Sequence, residues 1–284
     1  MEFSVIVPAY REENINKVLG LLLKQNLPHN IKLNKIFLVA AGYEKCHFIK
    51  SKKIVIIKEK IRKGKPTAIN AALERIETEI IVLQSGDVLT DKNTIRKLLE
   101  PFKDVSIAMT TGRPIPLNDK KKIVGFLVHF IWLLHHLVSL QMPKAGEIVA
   151  FRNILEKIPR RLVADESYLE CIVHKSKKKI KYVPSAVVFN RGPKNVSYFF
   201  KQRVRVYIGH LHIKEKFNYS VSTMNIFRIF KAVMKYFEIK SVSNIKEVFW
   251  IALALELEIF ARMTACLQYY FLNRLPYKWE KIET

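Results

Sequence analysis

The turn Ser85-Gly86-Asp87 follows an apolar run ending at Gln84, and its carboxylate could hold a divalent cation bridging a diphosphate. Such an Asp is equally a turn or helix-capping residue. Upstream, Arg62-Lys63-Gly64-Lys65-Pro66-Thr67-Ala68-Ile69-Asn70 is a basic, Gly-containing loop feeding a helix start. Free N–H groups, the helix dipole and the Lys charges would together cradle phosphate there. The spacing of a Walker loop is absent, and a solvated basic turn is the plainer alternative. At the N-terminus an apolar run enters Val7-Pro8-Ala9-Tyr10-Arg11-Glu12-Glu13. Pro8 is expected to break the strand and Tyr10 to stack on a nucleobase; an ordinary strand-to-helix turn carrying acids is the alternative. Each piece is only suggestive alone, and their combination says more than any one of them.

Such residues need a scaffold that brings loops to one edge. Phe3–Val7, Lys35–Val39, Ile54–Ile57 and Glu79–Leu83 read as strands, mostly apolar as buried parallel strands are. Between them, Ile15, Val18, Leu19, Leu22 and Leu23, and again Ala68, Ile69, Ala72, Leu73 and Ile76, recur at helical spacing. Alternating strands and helices predict a mainly parallel sheet covered by helices. In such sheets ligands bind beyond the carboxyl ends of the strands, which selects residues 8–13, 40–44, 58–65 and 84–87.

The second half differs. Val124–Met142 is apolar except for interruptions such as His129, His135 and His136, and predicts an amphipathic helix or helix pair at a membrane or acceptor groove, or a buried core helix. The histidines have no carboxylate partner at metal-ligand spacing and are read as polar helix positions. Glu147–Arg152 and Lys181–Phe189 read as strands, and Val196–His212 as a helix. Val248–Leu272 is the best candidate for a membrane span, but Glu256, Glu258 and Arg262 fall within it. Each charge near a bilayer centre costs about 2.5–3.5 kcal/mol, so helices packed on the domain or lying in the interface are preferred.

The whole chain has 284 residues, 49 Lys+Arg against 25 Asp+Glu, and a net charge of +24, with 49% hydrophobic residues. That excludes disorder and low-complexity architecture and allows a sizeable core. The charge suits nucleic acid, an anionic membrane or a phosphate-rich substrate. Cys46, Cys171 and Cys266 are odd in number and widely spaced, so neither a disulfide framework nor a metal knuckle is expected. No signal peptide is expected at the N-terminus. Lys175, Lys177, Lys178, Lys179 and Lys181, with Arg160 and Arg161, form a basic cluster without a nucleic-acid motif or stacking aromatics, so lipid headgroups or a lipid-linked phosphate are the expected counterpart and nucleic acid is not.

Taken in order, SVIVPAYREE, IFLVAAG, KGKPTAINAAL and EIIVLQSGD resemble the nucleotide-binding half of a glycosyltransferase family 2 enzyme with the GT-A fold. The pattern continues through AGEIVAFRN, VADESYLE and RGPKNVSYFFKQRVRVYIGHL, whose last segment is similar to the Q-x-x-R-W motif of membrane-associated members. The resemblance covers about residues 3–212. It implies an α/β GT-A-like domain over 1–215, made of a nucleotide-sugar half (1–115) and an acceptor half (116–215, with the apolar segment 124–142). A helical membrane-docking tail (216–284) would follow.

Carried over residue by residue, the resemblance makes Asp87 the surviving acid of a D-x-D turn, with Ser85 at the first acid's place, holding Mg2+ or Mn2+ against the donor. Pro8, Tyr10 and Glu12 match the first loop near the nucleoside, and Lys65 and Asn70 match the G-K-x-x-x-x-N stretch. Asp165 matches the general base, with Glu166 beside it, and Gln202, Arg203 and Arg205 match the segment near the diphosphate and acceptor. The implied reaction is a metal-dependent inverting transfer from a nucleoside-diphosphate sugar to a lipid, lipid-linked or glycan acceptor at the cytoplasmic membrane face, the enzyme being peripheral or held by one C-terminal span. Besides Ser85, the pattern departs at Ala40 and Ala41, where relatives carry acids that contact the base, and at Val206, which replaces the Trp. A fold-retaining, inactive membrane scaffold and a basic RNA-binding protein are the competing classes.

Overall fold

The computed structural model describes residues 1–43, 47–240 and 244–278. Glu44 and Cys46 lie outside the described residues. The chain forms two compact units, the first from residues 1–114, 145–161 and 168–190, the second from 115–144, 162–167 and 191–284.

The first unit is built on a sheet. In chain order its elements are β1 (Glu2–Tyr10), α1 (Ile15–Leu23), β2 (Lys32–Ala41), β3 (Ile54–Glu59), α2 (Lys65–Leu73), β4 (Ile80–Gln84), β5 (Leu89–Thr90), α3 (Thr94–Leu99) and β6 (Ile107–Pro116). After an excursion through α4 (Ile123–Gln141) come β7 (Ile148–Arg152), α5 (Asp165–Lys175) and β8 (Lys179–Asn190). The strand order is β3-β2-β1-β4-β7-β6-β8-β5. Strands β3, β2, β1 and β4 are parallel, as expected of the near-continuous apolar runs. From β4 onward the sheet changes character, because β7 pairs antiparallel with both β4 and β6, and β5 antiparallel with β8. Ile15, Val18, Leu19 and Leu22 of α1 bury against Phe3, Val5, Val7, Ile36 and Leu38, so the predicted helical stripe is the one that covers the sheet.

Pro8 does not break its strand. β1 runs through it to Tyr10, with Pro8 in register with Val39. The ladder to β4 ends at Ile6 opposite Leu83, so beyond that point one side of β1 is open and a missing donor is tolerated. Strand β6 (IAMTTGRPIP), with its Gly and two prolines, and the two-residue β5 carry too weak an apolar pattern to be read from sequence.

The second unit is helical. Besides α4 it holds α6 (Val196–Phe217), α7 (Ile226–Ile239) and α8 (Ile245–Cys266), the last ending in a short π-helical turn, Leu267–Phe271. Asn195, Asn225 and Asn244 cap α6, α7 and α8, each side chain accepting from a backbone N–H in the first turn. Leu127, Phe130, Leu134 and Leu137 of α4 pack with Phe199, Ala232, Tyr236, Ile251 and Ala254. The segment 124–142 is thus one helix with one face packed in this core. Among the described residues it is also the one helix long and apolar enough to cross a membrane, with 44% of its apolar window buried. The run 248–272, expected to be the better span candidate, does not qualify: α8 carries Glu256, Glu258 and Arg262 and packs its Ile251, Ala254 and Ala261 inward.

Candidate active site

In the first unit, Tyr10, Ala41 and Glu59 stand in register at the carboxyl edge of three adjacent parallel strands. Just past that edge Arg11 adopts a left-handed backbone, φ 52°, and its N–H donates to the Ala41 carbonyl at 3.3 Å. A non-glycine residue held there is costly, and such strain gathers at functional edges. The Arg62 guanidinium sits 4.1 Å from the Tyr10 ring centroid and that of Arg11 at 5.2 Å. The Glu12 N–H donates to Tyr43 Oη at 2.6 Å, tying the first loop to the loop after β2. Burial pushes the Glu59 carboxyl up, while the Lys63 backbone N–H and the Lys63 and Arg62 charges oppose it. Glu59 escaped sequence reasoning, which placed no role on the last residue of the third strand.

The basic loop behaves as expected at its end. Gly64, at φ 103°, caps α2, and Lys65 and Pro66 open the helix with no acid in its first turn. Asn70 lies inside the first unit. It is 5% exposed, its Nδ2 donates to the Ile158 carbonyl and its Oδ1 accepts from the Ile158 N–H, both at 2.8 Å. Its amide therefore fixes a loop 88 residues away.

The Ser85–Asp87 turn is pinned from both sides. The Gln84 side chain donates to the Val88 carbonyl at 2.8 Å, and the Val88 N–H to the Ser85 carbonyl at 3.3 Å. A Cβ on Gly86 would lie 2.7 Å from Ala9 Cβ and 3.3 Å from the Pro8 carbonyl oxygen, so only glycine lets the turn rest on the end of β1. Pro8 is buried and serves as that platform. Asp87, carried on the turn, is exposed.

In the second unit, α6 approaches the strand of chain leading into α5. A Cβ on Gly209 would meet Ala164 Cβ at 2.9 Å and Val163 Cγ1 at 3.2 Å. Asp165 follows directly, 1% exposed, with Glu166 half-buried beside it. Lys144, itself 5% exposed, donates to Ser167 Oγ at 3.4 Å. At about 100° per residue, Gln202, Arg205 and Gly209 share one face of α6, the face that meets Val163 and Ala164. Arg203 is on another. Its Nε and Nη2 grip Glu258 of α8 at 2.7 and 3.1 Å, and Arg262 Nε reaches the same carboxylate at 3.1 Å. The two arginines read together from sequence are therefore parted: Arg205 lies with Gln202, and Arg203 is committed to α8. Glu258 was legible only as a charge within the apolar run 248–272, since nothing in the sequence signals a partner 55 residues upstream.

His210 is 7% exposed, and burial, then the Lys144, Arg203, Arg262 and His135 charges, hold its imidazole well below the usual histidine range. His129 bonds the Asn118 carbonyl through Nε2 at 2.9 Å. Among the described residues no three His, Cys, Asp or Glu come together as a group that could hold a metal ion.

A family model, glycosyltransferase like family 2, matches residues 2–209. The chain belongs to that family. Its fold is the GT-A fold of glycosyltransferases. Among solved structures, a mannosyltransferase from Pyrobaculum calidifontis in complex with GDP-Man and Mn2+ superposes with a TM-score of 0.63 at 15% identity, over 96% of this chain and 88% of the other. TarS of S. aureus, residues 1–349, gives 0.49 at 13% identity, over 95% of this chain and 91% of that one. No curated protein matches the chain in sequence. The family 2 match ends in α6, so α7 and α8 lie beyond it.

Proposed function

We propose that this family 2 glycosyltransferase transfers a sugar, with inversion, from a nucleoside-diphosphate sugar to a lipid, lipid-linked or glycan acceptor at the cytosolic face of a membrane. The observation that carries the donor half is the register of Tyr10, Ala41 and Glu59 at one sheet edge, with the Asp87 turn seated on the end of β1. Ligands of open α/β sheets bind at such an edge. The mannosyltransferase that shares the fold is in complex with GDP-Man and Mn2+, which supports a nucleotide-sugar donor here.

Asp87 fits a Mg2+ or Mn2+ ion. It offers an exposed, hard carboxylate oxygen, and such ions are commonly held by one or two carboxylates plus substrate phosphates and water. When bound, the ion neutralises charge developing on the leaving diphosphate. The chain's own residues do the rest. Asp165 takes the proton of the acceptor hydroxyl as the new bond to the anomeric carbon forms and the bond to the diphosphate oxygen breaks. Gln202 and Arg205, on one face of α6, supply hydrogen bonds and positive charge for the departing diphosphate, Arg through its planar fork. In the first unit, Lys65 and the α2 N-terminus favour a bound diphosphate. Arg62 and Arg11, stacked on Tyr10, surround the nucleoside end.

The acceptor class rests on the second unit's surface. Phe227, Phe230, Met234 and Phe237 of α7 are exposed along one side, next to Arg228, Lys231 and Lys235. Val248, Phe249, Ile259, Phe260 and Met263 are exposed on one side of α8, with the exposed Glu256 among them. Apolar stripes flanked by cations are the pattern of helices lying in an anionic interface.

Thermal stability with GDP-mannose, UDP-glucose and the free diphosphates, with and without Mn2+, tests the donor. A ligand at 100 times its Kd adds about 2.7 kcal/mol. The shift should require Mn2+ and vanish in Asp87→Ala. No shift with any nucleotide would favour the scaffold reading. For the membrane, the protein should sediment with phosphatidylglycerol vesicles and not with phosphatidylcholine vesicles. Phe230→Ser should weaken that binding about tenfold or more, since burying a Phe is worth about 1.5–3 kcal/mol. Equal binding to both vesicles would remove the anionic-surface argument.

A further inference from the structure

The Arg203–Glu258–Arg262 cluster lies partly outside the segment matched by the family, and the transfer chemistry leaves it unused. Glu258 is 14% exposed in its side chain and accepts three hydrogen bonds from two guanidinium groups, two from Arg203 and one from Arg262. Burial pulls the Glu258 carboxyl up, but the Arg203 and then the Arg262 guanidinium overcome it and hold the carboxyl below its ordinary range. Arg262 also donates through Nη2 to the Thr223 carbonyl at 3.3 Å and lies 5.0 Å from the Tyr207 ring centroid. Arg203 and Tyr207 are i and i+4 on α6, so the ionic cluster and the ring contact grip one stripe of that helix. Below it, Val204 and Ile208 pack on Ala261 and Ala265 of α8.

Rotation is what such a grip controls. The stripe held by α8 is about 160° round α6 from Arg205 and about 100° from Gln202. A planar two-bond fork fixes direction as well as distance, whereas packing of Val and Ile on Ala tolerates sliding and turning. We propose that Glu258 is a positioning residue for glycosyl transfer: by holding Arg203 it sets the rotation of α6 and so aims Gln202 and Arg205. The inference rests on the proposed function and adds to it that α8, beyond the family's matched segment, is part of the catalytic apparatus.

The test is a mutant cycle of Glu258→Gln and Arg205→Ala in the full chain. The assay follows release of nucleoside diphosphate from GDP-mannose and UDP-glucose, with Mn2+ and phosphatidylglycerol vesicles containing polyprenyl phosphate. Gln keeps the shape but puts an amide donor against one guanidinium. E258Q should lower kcat at least tenfold with the donor KM within threefold of wild type, because binding at the sheet edge of the first unit is untouched. In the R205A background, where Gln202 alone is left to be misaimed, E258Q should cost no more than a third of the fold-loss that it causes in wild type. A role in stability alone would lower the active fraction equally in both backgrounds. Losses that multiply, or a folded E258Q with wild-type kcat, overturn the inference while leaving the function standing. A wild-type protein that releases no diphosphate from either sugar overturns the function and the inference with it. Should E258Q fail to fold, E258D retains the charge but is one methylene short, and a three- to tenfold loss with the same non-additivity is expected.

Discussion

Asn70→Ala separates two jobs for one residue. The wild-type amide makes two buried hydrogen bonds to Ile158, at 2.8 Å each. Alanine leaves the Ile158 N–H and carbonyl without these partners, and each orphaned buried group costs about 1–3 kcal/mol, so the variant should lose about 2–6 kcal/mol. At about 2 °C per kcal/mol for a chain of this size, the transition should fall by about 4–12 °C. Trp132 and Trp250 both lie in the second unit and Asn70 in the first, so calorimetry is a better monitor than tryptophan fluorescence. Asn70→Asp sharpens the test. One oxygen still accepts from the Ile158 N–H, but the other must face the Ile158 carbonyl, so a proton is needed between them. Burial and that hydrogen bond raise the folded pKa above the unfolded value of about 3.9, and the deficit of N70D should therefore be smallest near pH 4 and grow as pH rises. The reasoning is refuted if N70A melts within about 1 °C of wild type yet loses its nucleotide-induced shift, for then the amide touches the donor as the sequence pattern implied.

Two further expectations follow from burial and close contact. The His210 imidazole is held low in the folded state, so below the unfolded value of about 6.5 the unfolded chain takes up a proton that the folded chain does not. Stability should fall from pH 7 to pH 5, and His210→Gln should flatten a slope of up to about 1.4 kcal/mol per pH unit in urea titrations; His129 and His212, also held low by burial, contribute with the same sign. Gly86→Ala would force a Cβ to within 2.7 Å of Ala9 Cβ on a buried strand. It should cost about 1–3 kcal/mol and weaken Mn2+-dependent nucleotide binding, and an unchanged melting point with an unchanged ligand shift would count against the seating of the Asp87 turn.

The contrast between Asn70 and Asp87 shows what a sequence carries. Local signals were legible: the four parallel strands from apolar runs, the helix start at Lys65 and Pro66, the exposed acid after β4. Pro8 was misread because tolerance of a missing donor depends on where a neighbouring ladder stops, at Ile6 and Leu83. Strand β6 was missed because its Gly, Thr and Pro content hides it. The motif residues Gln202, Arg203 and Arg205 were found, but their division between two helix faces depends on Glu258, 55 residues away from Arg203. Arg62 was seen as a phosphate-loop cation, and its stacking on Tyr10 needed two loops to meet. Residue type and spacing thus named the candidates, while long-range partners gave each of them its surroundings.

The order of strands in the sheet also sets a timetable. β4 lies at the sheet's middle, yet its antiparallel neighbour β7 begins at Ile148, 64 residues (148 − 84) after β4 ends. At a synthesis rate of about 5–20 residues per second, the nascent chain carries the parallel half with an unsatisfied edge for about 3–13 s. An open, apolar edge strand invites pairing with other chains, and sequence-distant pairing is slow to form. Ile80, Ile81, Val82 and Leu83 are therefore the residues a chaperone must shield during translation, and production of this enzyme should be limited by that interval more than by the stability of the finished fold.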